Sequence, residues 1–535
     1  MPMAPMLLGD WLGRRAQLSP DRIALYDAEA GMRPVTYRAW DAAATRTAAL
    51  LRRLGVGRGH RVAVLAFNGL PLLDLWFACG KLGAMMQPLS WRLTPAELAA
   101  LLADATPSLL AYGPSFTATA AELRPAAPSV RAWLAIDPAA RAAQADPALH
   151  ERDACTEPVP PTPLSFDDPW LLCYTGGTTG APKGAVLTHG NIAWNAVNTV
   201  AGWGLDAHDV AILNAPLFHT GGLNVFTAPL VLAGGASVVC KGFDADQVFD
   251  LIADGGVTLF FGVPTMFAAL QRHPRWPEAD FSRLKLVISG GAPCPAPIFE
   301  AFWQRGVAFR TGYGLTEAGP NNFGLPDALV RHKPGAVGFP LPFVDLRVVG
   351  ADGAERRPGE VGELQIRGPH VCAGYWGRPE ETARTIVDGW LRTGDLAMRD
   401  DDGCYSIMGR SKDIIISGGE NIYPAEVESV LCAHPAVAEA ALIGAPDPHW
   451  GEVGVAVVAP RPGHTLHADD LLAFAAERLA RFKLPRRVIL ADELPKTAAG
   501  KLDKQALARM YIDPETVDGR RWTVGCSSVS PFPVP

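Results

Sequence analysis

Eleven residues, Tyr174-Thr-Gly-Gly-Thr-Thr-Gly-Ala-Pro-Lys-Gly184, carry the densest anion-binding chemistry in this sequence. Gly176, Gly177 and Gly180 let consecutive backbone N–H groups turn toward one polyanion, while the hydroxyls of Thr175, Thr178 and Thr179 and the ammonium of Lys183 add donors and charge. The segment reads as a phosphate grip. It is not the GxxxxGK[ST] loop, because Lys183 follows Ala-Pro and precedes Gly184 instead of Ser or Thr.

Other stretches offer complementary chemistry. Ser289-Gly-Gly-Ala-Pro293 places Gly290, Gly291 and Ala292 where a strand ends, and glycine there permits close approach of a ligand to the backbone. Glu317, in Gly312-Tyr-Gly-Leu-Thr-Glu-Ala-Gly-Pro320, is the kind of oxygen ligand that a hard cation on phosphates takes, usually one or two per site. Asp395, closing Trp390-Leu-Arg-Thr-Gly-Asp395, can accept from two hydroxyl donors at once. Lys501 ends Leu494-Pro-Lys-Thr-Ala-Ala-Gly-Lys501, and His219 ends Pro216-Leu-Phe-His219. Taken singly, His219 reads as a core imidazole, Glu317 as a solvated charge and Lys501 as a surface cation. Their order along the chain changes that reading.

In this order the segments resemble the adenylate-forming superfamily of acyl- and aryl-CoA synthetases, peptide-synthetase adenylation domains and beetle luciferases, over nearly the whole chain from about Trp11 to Met510. One departure is that Gly176 stands where many members have Ser, which removes a side-chain contact to phosphate. The resemblance implies that residues 175–180 with Lys183 hold the ATP phosphates and that Gly290, Gly291 and Ala292 lie against adenine. It implies that Tyr313 stacks on the base, with Gly314 next to it among the ATP-binding residues, that Thr316 meets the α-phosphate and that Glu317 holds Mg²⁺. Asp395 takes the ribose hydroxyls with Arg410 on the far side, Lys412 is the pivot of a small domain, and Gly418 and Gly419 flank a coenzyme A tunnel. His219 gates the acyl channel, and Lys501 reaches the carboxylate and α-phosphate, so that Lys501, His219, Thr178 and Glu317 are the expected catalytic set.

The implied reaction converts a carboxylic acid and ATP to an acyl-adenylate and pyrophosphate, then to an acyl-CoA and AMP. A carboxylate resists thiols because it is anionic and lacks a leaving group, and a mixed anhydride with AMP removes both obstacles. Loading of a carrier protein in trans is the alternative, since no carrier-like segment is expected after Lys501. The stretch after His219, residues 262–266 and residues 318–323 are small or apolar and favour a fatty, terpenoid-like or aryl acid over an amino acid.

The elements that must position these residues read as α/β. Asp41–Leu54 is expected as a helix and Arg61–Phe67 as a strand, giving a first wound unit. Residues 114–168, rich in Ala and Pro, read as loop or linker. A second wound unit is expected from Trp170 to Gly409, with strands at Ala236–Cys240, Leu259–Phe261 and Leu286–Ser289 and a helix at Ala245–Asp254. It grades into a small β subdomain at 344–368. The expected division is an adenylation domain at 1–409, a hinge and CoA-tunnel segment at 410–425, a mobile α+β lid at 426–512 and a disordered tail at 513–535.

With 535 residues, 48% hydrophobic and 19% charged, the chain has a globular composition and enough length for more than one domain. A net charge of −7 gives no basic stripe for nucleic acid. Nine cysteines without a Cys-x-x-Cys pair argue against a disulfide framework or structural zinc and suit the cytoplasm. The uncharged stretch 210–240 contains His219, two asparagines and paired glycines, so a buried strand-turn-helix is expected there and no membrane span. A homodimer is compatible with all of this.

Overall fold

The computed structural model describes residues 10–175, 182–418, 420–497, 501–512 and 524–526. Short β-branched runs between amphipathic helices build two mainly parallel sheets. The first has the order Ala132–Ala135, Leu109–Tyr112, Arg61–Leu65, Met85–Pro88, Pro169–Thr175, Lys183–Thr188, and only its last pair is antiparallel. The second runs Phe309–Thr311, Leu286–Ser289, Leu259–Gly262, Val210–Leu213, Ala236–Val239, Ile23–Asp27, Arg33–Thr36, again with one antiparallel edge pair.

Helices Tyr37–Arg53 and Leu70–Leu82 contribute to one core that contains residues of both sheets, Val62 and Val64 from the first, Leu25 and Val239 from the second. Trp76 and Trp170 stack within it at 5.1 Å between ring centres. Parallel strands end on a common edge, where open α/β sheets collect ligands. Four strands of the second sheet therefore deliver Asn214–His219, Gly262, Gly290 and Gly312 toward the same side.

A five-stranded antiparallel sheet follows, with Asp345–Val349, Val361–Arg367, Trp390–Arg399 and Ile386–Val387 in order and Tyr405–Arg410 also paired to Trp390–Arg399. After Arg410 a further sheet is built around Gly451–Pro460, which pairs antiparallel with Val437–Asp447 and parallel with Arg487–Leu490. Helices Pro424–Cys432 and Ala468–Ala476 pack on it through Val427, Leu431, Leu471 and Ala475.

Three expectations are corrected. The wound units do not divide at Trp170: Pro169–Thr175 and Lys183–Thr188 complete the first sheet, while the N-terminal pair Ile23–Asp27 and Arg33–Thr36 joins the second. Residues 114–168 are not all linker, because they contain helix Thr117–Leu123 and strand Ala132–Ala135, whose Trp133 and Leu134 are buried. Alanine-rich composition concealed that four-residue strand. From the tail read as unstructured, Val524–Cys526 pairs with Arg487–Leu490. Residues 210–240 form the expected strand, turn and helix.

Candidate active site

The loop after Phe309–Thr311 is fixed by its glycines. Gly312 N–H donates to the Ser289 carbonyl at 2.7 Å, and a Cβ on Gly314 would lie 2.2 Å from the Pro320 carbonyl oxygen, so no side chain fits there. This close fold presents Tyr313 on one flank and the short turn Thr316–Ala318, carrying Glu317, on the other. At the neighbouring strand end Gly291 adopts φ +81°, and Gly290 offers its bare α-carbon beside Phe261.

Asp395 is buried and held from two sides. Tyr313 donates its hydroxyl to Oδ2 at 2.6 Å, and Arg410 Nε lies 2.9 Å from Oδ1. Strand register places Asp395 directly opposite Arg410, which explains how residues so far apart in the motif order meet. Each carboxylate oxygen keeps a further lone pair for a hydroxyl donor. Burial, followed by the Asp395 charge, pushes the Tyr313 phenol well above its ordinary value, so it remains a donor.

Glu317 is buried, and its Oε1 accepts from the Tyr375 hydroxyl at 2.8 Å. Lys183 Nζ pairs with Glu381 at 2.8 Å and sits 5.5 Å from the Tyr375 ring centre. Tyr375 reaches this place because it bridges to Ala185 on the strand that begins at Lys183. Neither Tyr375 nor Glu381 was among the residues expected from sequence. Their segment, Tyr375-Trp-Gly-Arg-Pro-Glu-Glu381, lacks the glycine-hydroxyl signature of a nucleotide loop, and only the contiguous aromatic pair sets it apart.

Lys501 is tied to the chain that precedes it. Thr497 N–H donates to the Lys501 carbonyl at 2.7 Å, Lys501 N–H donates back to Thr497 Oγ1 at 3.3 Å, and Lys496 bridges to Leu502. Asp503 then caps helix Lys504–Tyr511. The ammonium is held below its ordinary value chiefly by desolvation in the cleft, then by Arg410, with Asp395 and Glu317 opposing. The residue nevertheless keeps contact with the solvent of the cleft. The same Lys501 charge, after burial and together with Arg92, pushes the His219 imidazole down to about 4. His219 Nε2 is buried without a hydrogen-bond partner, and its ring lies 4.5 Å from that of Phe218. Lys501, Arg410, Asp395, Glu317 and His219 thus share one electrostatic environment.

Other expected residues are placed differently. Thr175 sits at the end of its strand with Oγ1 3.4 Å from the Lys183 carbonyl, whereas Gly176, Gly177, Thr178, Thr179, Gly180 and Gly419 lie outside the described residues. Lys412 occupies the turn Ser411–Asp413, and Ser411 Oγ ties that turn to the Gly394 carbonyl at 3.0 Å. Gly418, at φ +59°, donates its N–H to the Trp450 carbonyl within the C-terminal sheet region and has no hydrogen bond to the nucleotide-side residues among the described residues.

Glu317 suits a magnesium ion. Among the described residues no group of three or more His, Cys, Asp or Glu side chains could hold a metal, so the donor set fits a hard ion that takes one protein carboxylate and completes its shell with phosphate oxygens and water. No helix among the described residues is long and apolar enough to cross a membrane.

This combination of glycine-walled loops, a buried carboxylate held from two sides and a lysine brought from the C-terminal lobe fits a nucleotide-dependent acid-activating enzyme. The chain belongs to the AMP-binding enzyme family: the family model matches residues 12–376, and the AMP-binding enzyme C-terminal domain matches residues 426–501. It is 44% identical over 504 residues to a feruloyl-CoA synthase of Amycolatopsis sp, covering 94% of this chain and 99% of that protein. It is 40% identical to the indoleacetate–CoA ligase of Aromatoleum aromaticum, covering 94% and 98%. ATP-bound MatB from Rhodopseudomonas palustris superposes with a TM-score of 0.86 at 33% identity, covering 94% and 99%. The chain is an ATP-dependent, AMP-forming acid–CoA ligase of the adenylate-forming superfamily.

Proposed function

We propose that this ligase activates an aromatic carboxylic acid, of the arylpropenoic or arylacetic kind, using Mg²⁺ with ATP and coenzyme A as acceptor. The observation that carries the reading is the wall beside His219. The Phe261 ring edge lies where Cβ atoms on Gly221 and Gly290 would come within 3.4 and 3.0 Å of it, so glycines on two loops let one aromatic ring pack against their main chain as an apolar wall. A planar ring suits an aromatic wall, because edge or face contact between aromatic rings adds to simple burial. The names of the feruloyl and indoleacetate relatives support the same class.

In the first step the acid carboxylate attacks the α-phosphorus of ATP, the new carbon-side oxygen–phosphorus bond forms, and the bond to pyrophosphate breaks. Lys501 offsets the charge of the two meeting anions, Asp395 with Arg410 orients the ribose, and the 175–183 loop holds the leaving phosphates. Catalysis here is placement and charge stabilisation with no protein nucleophile. When bound, Mg²⁺ on Glu317 supplies positive charge to the phosphate oxygens. His219, neutral and pressed against Phe218, closes the acid side against water.

After pyrophosphate leaves, the C-terminal lobe turns about Lys412 and exchanges Lys501 for the Gly418-Gly419 segment, beside which the thiol attacks the acyl carbon and AMP departs. One cleft then serves both reactions. The test is AMP release from ATP and coenzyme A with a panel of arylpropenoic, arylacetic, straight-chain and dicarboxylic acids. Aryl acids should give the highest kcat/KM. Dominance by straight-chain or dicarboxylic acids would overturn the substrate class, and turnover with a phosphopantetheinylated carrier but not with coenzyme A would overturn the acceptor.

A further inference from the structure

The helix that follows His219 is irregular, and its irregularity is repaired from outside. It runs as α-helix at Thr220–Gly222, widens to a π-turn at Leu223–Thr227 and resumes at Ala228–Ala233. Ala228 N–H donates five residues back, to the Leu223 carbonyl, and Thr227 Oγ1 donates to the Gly222 carbonyl at 2.9 Å. The Asn224 carbonyl therefore loses its ordinary donor, Ala228. Its next candidate is Pro229, which has no N–H and is also the residue that should have served the Val225 carbonyl. Two buried carbonyls thus lose the donor four residues on, a costly condition unless other groups supply one.

Asparagines supply them. Asn195 Nδ2, from helix His189–Trp203, donates to the Asn224 carbonyl at 2.7 Å. Asn321 Nδ2 donates to the Val225 carbonyl at 3.0 Å, reaches the Asn224 carbonyl at 3.4 Å, and lies 2.8 Å from Thr199 Oγ1. Asn195, Asn224 and Asn321 are each no more than 2% exposed. Asn321 belongs to the loop that carries Glu317, and that loop is also pressed onto helix His189–Trp203 so closely that a Cβ on Gly319 would lie 2.7 Å from Asn195 Oδ1.

We infer that Asn321, assisted by Asn195, is a positioning residue: by giving the hydrogen bonds that Ala228 diverts and Pro229 withholds, it locks the helix beginning beside His219 onto the turn bearing Glu317. The acid side of the cleft is thereby held at a fixed offset from the nucleotide side. This rests on the proposed assignment of the His219 segment to the acid site. π-Turns within α-helices recur at functional sites, and here the turn frees the carbonyls that the second loop grips.

The test is a cycle of Asn321→Leu, Pro229→Ala and their combination, read by pyrophosphate release and thermal melting with whichever acid the wild type accepts best. Asn321→Leu should raise the acid KM about tenfold or more, since small misplacements of a reacting group are expensive, while the ATP KM stays within about twofold. Pro229→Ala alone should be close to wild type. In the double variant the alanine that replaces Pro229 returns a main-chain N–H to the exposed carbonyls, so most of the acid KM should recover. A purely structural role would lower the melting temperature and the active fraction and leave KM unchanged, which overturns the inference, as do additive effects in the double variant. Should Asn321→Leu fail to fold, the double variant must fold, and its failure overturns the inference too. A wild type without acid-dependent pyrophosphate release sinks the proposed function instead, and that measurement comes first.

Discussion

Tyr313 and Asp395, 82 residues apart, are joined by a 2.6 Å hydrogen bond in which the phenol donates to Oδ2. The bond makes the loop after Phe309–Thr311 and the strand Trp390–Arg399 one unit, with Arg410 completing it through Oδ1. Asp395→Asn removes the charge facing Arg410 and replaces an acceptor with an NH₂ group. Because hydrogen bonds to charged groups contribute about 1.5–3 kcal/mol, ATP affinity should fall roughly tenfold to a hundredfold. Tyr313→Phe keeps the ring and the Asp395 charge and loses a bond within the protein that ATP does not itself make, so its effect on ATP affinity should be smaller. Titration calorimetry with ATP orders the two variants, and the reverse order would refute this division of roles.

Lys501→Ala should slow acyl-adenylate formation by on the order of 10²-fold, the scale of losing one preorganised charge-stabilising donor. Thioester formation from supplied acyl-adenylate should be largely spared, because in the proposed mechanism Lys501 acts on charge that develops in the first step. Since desolvation and Arg410 hold its ammonium below the ordinary lysine range, the alkaline fall in adenylation should begin earlier than for a solvated lysine. Rapid-quench measurement of the two half-reactions separates these effects, and equal slowing of both would contradict an exchange of lobes.

Gly314→Ala is the most economical backbone test. Its Cβ would meet the Pro320 carbonyl oxygen at 2.2 Å, a main-chain contact that cannot rotate away. The loop must open, moving Tyr313 and Glu317 together. Overpacking of this kind costs about 1–3 kcal/mol, and loss of nucleotide affinity should accompany it. Alanine at Gly204, which has open space around its α-carbon but also φ +64°, should cost stability without affecting ATP binding. Denaturant unfolding and ATP titration of the pair distinguish a local strain from a site-specific one.

Much of this was legible in the sequence because the nucleotide chemistry is written in contiguous glycine, hydroxyl and charge patterns. Asp395, Glu317 and Lys501 each sit in such a pattern, and the structure brings all three into one cleft. Helix Ala245–Asp254 and strand Leu286–Ser289 likewise emerge with the expected bounds, since local periodicity and end signals suffice for them. What stayed hidden depends on contacts distant in sequence. Tyr375 matters through a bridge to Ala185, and Asn321 matters through a proline in another segment. The migration of Ile23–Asp27 into the second sheet is also a pairing choice that no local run of residues encodes.

Three buried histidines predict the acid behaviour of the fold. His189, His219 and His370 are each pushed down from 6.5 to about 4, with burial as the leading cause in all three. His189 stacks on Trp170 at 4.7 Å, and His370 Nε2 lies 2.9 Å from Asn322 Oδ1, so each ring is packed in its neutral form. In the unfolded chain these imidazoles protonate near 6.5, whereas in the folded chain they resist until about 4. Between those values the unfolded state binds more protons, and stability therefore rises with pH. Their contribution is complete above about 6.5 and declines as pH is lowered toward about 4. Melting temperature should accordingly fall through that window, and His189→Gln, which removes one of the three titrating rings, should make the fall shallower even if it lowers the plateau. A melting temperature flat from about pH 7 to about pH 4.5 would show that these imidazoles are protonated in the fold after all.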